Sequence, residues 1–201
     1  MSKNRERPLL RKAANALTDT RFYGSFLLAG EVAVGGRSFR NWKIAAQAGL
    51  LMVTDNLDGW LGRMSNIPSV EYTTKDEQRD KTLYRHTMTA IGVATEDPRY
   101  LIYSGLTDVR NGLVEKERAK LRTVGLSAGA RPLGKLKTSA QNLALLIDLS
   151  PLGDSNAELV HRLHQSALGL TAVSGAEIII DAKHKLSQHF QTATTDNQTA
   201  A

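Results

Sequence analysis

Four aspartates, Asp55, Asp58, Asp76 and Asp80, fall in the segment DNLDGWLGRMSNIPSVEYTTKDEQRD. Spacings of i, i+3 and i, i+4 put the members of each pair on one face of a helix. A turn containing Asn66 and Pro68 separates the pairs and allows all four carboxylates to meet at one point. Like charges held that close, away from water, repel strongly. A hard divalent cation relieves the repulsion, and Mg²⁺ and its relatives prefer oxygen ligands. The segment therefore predicts a carboxylate-held metal site between two helices.

The elements that must position these residues follow from the punctuation of the chain. A first helix is expected over residues 13–36, stopped by Gly35-Gly36. A second covers 41–63 and breaks at Ser65–Pro68, since the residue before a proline resists the α conformation. The third starts near Thr74, with Glu77 at the capping-box position, and ends before Asp97-Pro98. A fourth spans 99–122, and a connection at 125–134 leads to a fifth over 137–149, stopped by Ser150-Pro151 and Gly153. The sixth runs over 155–184. No internal repeat or β-alternation of useful length is present, so the expected fold class is all-α. Residues 1–12 read as a basic arm (Lys3, Arg5, Arg7, Arg11, Lys12), 13–184 as the helical domain, and 185–201 as a disordered polar tail.

With no cysteine, disulfides, thiolate metal sites and cysteine nucleophiles are excluded. The net charge of +6 favours anionic partners: phosphorylated substrates, acidic lipid surfaces or nucleic acid. The start of the chain does not lead to an expectation of a signal peptide. Mean hydropathy is −0.28, and no run of eighteen apolar residues free of charge occurs. Weakly apolar stretches nevertheless recur at 22–36, 44–53, 86–95, 100–109, 140–152 and 159–180, and small residues fill them as in closely packed membrane helices. The charge pattern fits six crossings. The 115–137 connection carries Lys116, Arg118, Lys120, Arg122, Arg131, Lys135 and Lys137, while 150–158 has no Lys or Arg and 95–99 has only Arg99. The connection GGRSFRNWK at 35–43 runs against this rule. The expected architecture is a six-helix transmembrane bundle whose metal site faces the cytoplasm.

Written as a pattern, the aspartate segment is D-x2-D-G-x2-G-R-x12-D-x3-D, supplied by Asp55, Asp58, Gly59, Gly62, Arg63, Asp76 and Asp80. It resembles the signature of the CDP-alcohol phosphatidyltransferases, D-x2-D-G-x2-A-R followed by G-x3-D-x3-D. Gly62 replaces the usual alanine, and Tyr72 stands where the family has its second glycine. Further along, Asn15, Leu17, Thr18 and Arg21 resemble the family's N-x-L-T-x-x-R start. Arg110 and Arg118 keep the spacing of two arginines in its fourth helix. Gly134, Lys135, Lys137, Thr138 and Gln141 look like the G-K-x-K-T-x-x-Q element of the phosphatidylglycerophosphate synthase branch, and Ser174-Gly175 falls where that branch also has small residues. The resemblance covers residues 14–182.

The resemblance implies an integral protein of the cytoplasmic membrane that moves a phosphatidyl group from CDP-diacylglycerol to sn-glycerol 3-phosphate, releasing CMP in phospholipid biosynthesis. It implies two Mg²⁺ (or Mn²⁺) ions held by Asp55, Asp58, Asp76 and Asp80, with Asp80 also the general base. It places CDP against Asp58, Gly59, Gly62 and Arg63, and the acceptor phosphate against Arg110, Arg118, Lys135 and Lys137. Membrane lipid and a second copy of the chain are implied as partners, and nucleic acid is not. Two alternatives remain at this point: another acceptor, such as inositol phosphate, or a catalytically degenerate or soluble basic helical binding protein. His161 and His164 have no carboxylate at helical ligand spacing and read as interhelical hydrogen-bonding groups.

Overall fold

A computed structural model describes residues 7–65, 82–126 and 132–199, with side chains throughout except at 37, 63 and 192–199. Among the described residues there are seven α-helices and no strand. They are α1 (Pro8–Gly35), α2 (Trp42–Met64), α3 (Thr82–Thr95), α4 (Pro98–Thr123), α5 (Pro132–Leu149), the single turn α6 (Leu152–Ser155) and α7 (Ala157–Thr199); a 3₁₀ turn, Gly36–Phe39, joins α1 to α2. The all-α class and the order of six long helices are as expected. No helix among the described residues is long and apolar enough to cross a membrane.

The helix ends follow local chemistry. Gly36 takes φ +51, a conformation open to glycine, and α1 stops there. Asn41 caps α2 by accepting from the Ile44 amide at 3.0 Å. Asp97 caps α4 by accepting from the Arg99 amide at 3.0 Å, with Pro98 next in line. The Arg99 guanidinium beside Asp97 holds that carboxyl below its ordinary range. Three expected boundaries shift. Pro8 opens α1 inside the stretch read as a basic arm. Pro132 opens α5 five residues early, because proline suits the first turn of a helix and Gly134 does not stop one already begun. Beyond Gly175 neither glycine nor proline interrupts α7, so it continues past 184 to Thr199 where a disordered tail was expected. The capping box at Thr74 lies outside the described residues.

Helix α1 buries Ala14, Thr18, Arg21, Ser25, Leu28 and Val32, a stripe at alternating three- and four-residue steps. It packs on α2 and α3, while α7 packs on α4 and α5; contacts of α3 with α4 and of α2 with α5 join the two groups. Gly24 permits the α1–α2 approach, since a Cβ there would lie 2.6 Å from Leu51 Cδ2. The apolar core gathers Leu28, Val32, Phe39, Met88, Ile91, Leu145 and Leu149.

Beside this core lies a buried polar cluster built on Asp148, His164 and Arg40. Asp148 and His164 have no solvent exposure. Asp148 Oδ1 accepts from Arg40 Nη2 at 2.8 Å, and Asp148 Oδ2 lies 3.1 Å from His164 Nε2. The other ring nitrogen of His164 is 3.2 Å from the Tyr84 hydroxyl. Arg40 Nη1 reaches the surface carboxylate of Asp154 at 2.9 Å. His164 thus acts as an interhelical hydrogen-bonding group, and a carboxylate meets each histidine: Asp148 bonds His164, and Asp97 lies 3.4 Å from His161. The basic 35–43 connection is also explained in part, since Arg40 turns inward and Lys43 pairs with Glu31 at 3.4 Å.

Removing one member of a buried ion pair strands the other. Asp148→Ala is expected to lower the unfolding free energy by about 3–5 kcal/mol in denaturant or thermal unfolding. Asp154→Ala, at an exposed partner of the same arginine, is expected to cost under about 1 kcal/mol.

Candidate functional site

Thr18 and Arg21, one helical turn apart on α1, face Asp55 and Asp58, one turn apart on α2. Arg21 Nη1 donates to Asp55 Oδ1 and, at 3.1 Å, to Asp58 Oδ2. Thr18 Oγ1 donates to the same Asp58 oxygen at 2.8 Å. Arg21 and Asp58 are each 1% exposed, whereas the side chain of Asp55 keeps 31% of its surface. The two carboxylates therefore differ: Asp58 is enclosed, and Asp55 opens into a cavity of about 580 Å³.

That cavity collects residues from six helices. Arg21 comes from α1; Asp55, Asn56 and Gly59 from α2; Leu83 and Tyr84 from α3; Thr107, Arg110, Asn111 and Arg118 from α4. Helix α5 adds Gly134, Lys135, Lys137, Thr138, Gln141 and Asn142, and α7 adds Ile178. Five cationic side chains thus share a concave surface with one carboxylate among the described lining residues. Such a surface attracts anions, and phosphate above all, because arginine offers a planar fork and lysine a point charge.

Arg110 is held by three hydrogen bonds. Its Nε donates to the Thr171 carbonyl at 3.1 Å, Nη1 to Asn111 Oδ1 at 3.1 Å and Nη2 to Ser174 Oγ at 2.9 Å. Gln141 Nε2 donates to Thr171 Oγ1 at 3.2 Å, which ties α5 into the same arrangement. Gly175 makes room for it: a Cβ there would stand 2.8 Å from both Cγ and Nε of Arg110. Lys135, by contrast, is exposed, and Lys137 is half-buried.

Of the residues predicted from sequence, the structure brings Asp55, Gly59, Arg110, Arg118, Lys135 and Lys137 to this one cavity. Asp58 and Gly62 are not part of the described lining; Asp58 turns toward Thr18 and Arg21 instead. Asp76, Asp80 and Tyr72 lie outside the described residues, as does the side chain of Arg63. Among the described residues no group of three His, Cys, Asp or Glu side chains converges. Asp55 and Asp58 are nonetheless hard oxygen donors one turn apart, a donor set that fits Mg²⁺ or Mn²⁺. Thr107, Asn111, Asn142 and Tyr84 were missed as lining residues. The signal for Thr107 was available: it precedes Arg110 by three and Asn111 by four, which places all three on one helix face. Compared with protein-family models, curated proteins and solved structures, the chain finds no match in any of the three.

The close approach at Gly175 generates a test. Gly175→Val is expected to displace Arg110 and weaken binding of inorganic phosphate about tenfold, and Arg110→Gln is expected to do the same. Gly169→Ala on the same helix, where a Cβ meets nothing within 4 Å, is expected to leave it unchanged. Titration calorimetry on the three variants reads the difference.

Proposed function

We propose that the chain is a metal-dependent CDP-alcohol phosphatidyltransferase that moves the phosphatidyl group of CDP-diacylglycerol to sn-glycerol 3-phosphate and releases CMP. One observation carries this reading: candidate residues drawn from three well-separated stretches of sequence line a single cavity. They are Asp55 and Gly59, then Arg110 and Arg118, then Lys135 and Lys137. Ordinary surface charge gives no reason for these stretches to converge. A cationic cavity beside an acidic pair is what transfer of a phosphorylated group onto a phosphorylated acceptor requires.

In this reading, Arg110, Arg118, Lys135 and Lys137 hold the acceptor phosphate and orient its free hydroxyl. Asp55 and Asp58 belong to the metal-holding set that Asp76 and Asp80 complete by resemblance. When bound, two Mg²⁺ or Mn²⁺ ions supply charge stabilisation at the attacking and leaving oxygens. Asp80 takes the proton of the acceptor hydroxyl as its oxygen bonds to the phosphatidyl phosphorus. The bond from that phosphorus to the bridging oxygen breaks, and CMP departs with the electron pair. Gly59, on the cavity wall, leaves its backbone open to the nucleotide. Arg21 holds the Asp55 and Asp58 carboxylates in a fixed relation.

A lipid setting with the cavity facing the cytoplasm belongs to the same proposal. It is supported by where the polarity lies. Tyr23, Leu27, Leu50, Val53, Leu101, Ile102, Val109, Val173 and Ile180 are exposed, while Arg21, Asp58, Asp148 and His164 are buried. Buried ionisable groups within an apolar exterior suit a bilayer. Carbonate extraction of membranes is expected to leave the protein in the pellet; release by carbonate would remove the lipid setting from the proposal.

The enzymatic reading is tested by CMP release from CDP-diacylglycerol with purified protein in detergent. Release is expected with glycerol 3-phosphate and Mg²⁺, to stop with EDTA, and to fall by about 10²–10⁴-fold in Asp80→Asn. Absence of metal-dependent CMP release with any acceptor, inositol phosphate included, would overturn it.

A further inference from the structure

The α4 wall of the cavity holds a hydroxyl that no described residue answers. Thr107 is 6% exposed and lines the cavity, and its Oγ1 is buried with no hydrogen-bond partner among the described residues. Helical threonines ordinarily bond a carbonyl of the preceding turn. Thr95, Thr138 and Thr171 do so here, each to the residue four before it. Thr107 does not, and a buried hydroxyl without a partner carries an unmet cost that a ligand can relieve. One turn on, Asn111 is 7% exposed and also lines the cavity. Its Oδ1 accepts from Arg110 Nη1 at 3.1 Å, which commits the oxygen and leaves the Nδ2 donors on the other side of the amide. The pair is neutral, while Arg118, Lys135 and Lys137 supply charge elsewhere on the same surface. A hydroxyl both donates and accepts, whereas a phosphate at neutral pH chiefly accepts. The Thr107 hydroxyl therefore suits a hydroxyl partner, and the cationic groups suit a phosphate.

We propose that Thr107 and Asn111 recognise the free hydroxyl groups of a phosphorylated polyol whose phosphate is held by the cationic part of the cavity. This deepens the acceptor role proposed for the cavity and rests on it. The pair determines specificity: it distinguishes a polyol phosphate from an alkyl phosphate of the same length.

The test compares sn-glycerol 3-phosphate with n-propyl phosphate, which has the same carbon chain and phosphate but no free hydroxyl, by titration calorimetry on the full chain. Wild type is expected to bind glycerol 3-phosphate about tenfold more tightly. Thr107→Val is expected to remove most of that preference with little change for propyl phosphate, and Thr107→Ser to retain it. Lys137→Gln is expected to weaken both ligands alike. Equal affinities in wild type, or a preference that survives in Thr107→Val, would overturn the proposal while leaving the phosphate site standing. Failure of wild type to bind either ester would overturn both. Should Thr107→Val not fold, the wild-type comparison and Thr107→Ser still decide, since loss of the preference in the serine variant contradicts hydroxyl recognition.

Discussion

A guanidinium with 1% of its surface exposed constrains everything around it. Burying Arg21 without partners would be prohibitive, so the fold must deliver carboxylates to it. Asp55 and Asp58 do this from α2, and Thr18 completes the contact from α1. The reverse holds for Asp58, whose enclosed carboxylate needs a cation against it. These mutual requirements set the register of α1 on α2. The main-chain bond from the Arg7 amide to the Ser65 carbonyl, 3.1 Å, closes the same end of the helix pair. Gly24 then lets the helices meet around Leu51. With that register set, Asp58 is enclosed and Asp55 faces the cavity.

A second charged centre, built on Asp148, does comparable work between the α1–α2 connection, α5 and α7. It holds Arg40 and His164, and His164 in turn meets Tyr84. Tyr84 belongs to both halves of the structure, for it also lines the cavity. The orientation of α3 is therefore tied on one side to buried charge and on the other to the site. The apolar core alone would permit small rotations of α3, since Leu83, Met88 and Ile91 fill space without direction. Hydrogen bonds to His164 remove that freedom.

The helices and much of the cavity were legible in the sequence, because their signals are local. Gly36, Asn41 and the Asp97-Pro98 pair mark helix ends through backbone chemistry confined to a few residues. Asp55, Gly59, Arg110, Lys135 and Lys137 could be selected by spacing within single helices together with the family resemblance. What spacing could not reveal was pairing across helices. Asp148 sits in a stretch that reads as apolar, and nothing within one turn of it announces Arg40, far back in the chain. His164 likewise has no carboxylate three or four residues away on its own helix, because its partner comes from α5. Arg40 read as an outlier to the charge rule for the same reason: its charge is satisfied inside. Spacing puts Thr107 on the face of Arg110 and Asn111, but the failure of its hydroxyl to satisfy itself within the helix is a fact of three-dimensional structure.

The cations of the cavity are not equivalent, and the difference bears on how such a site could work. Arg110 gives a donor each to Thr171, Asn111 and Ser174, so its plane is fixed before any ligand arrives. A fixed donor plane contributes orientation, because none of its freedom remains to be lost on binding. Lys135, exposed on the first turn of α5, has a long stem and contributes attraction with little direction. A site that must present one hydroxyl at a defined angle needs the first kind of cation, and the second serves to draw the anion in. The rigid arginine is placed where α7 carries no side chain at Gly175, and α7 can approach that closely because Thr171 and Ser174 are small. Orientation at this site therefore depends on absent atoms as much as on charged ones.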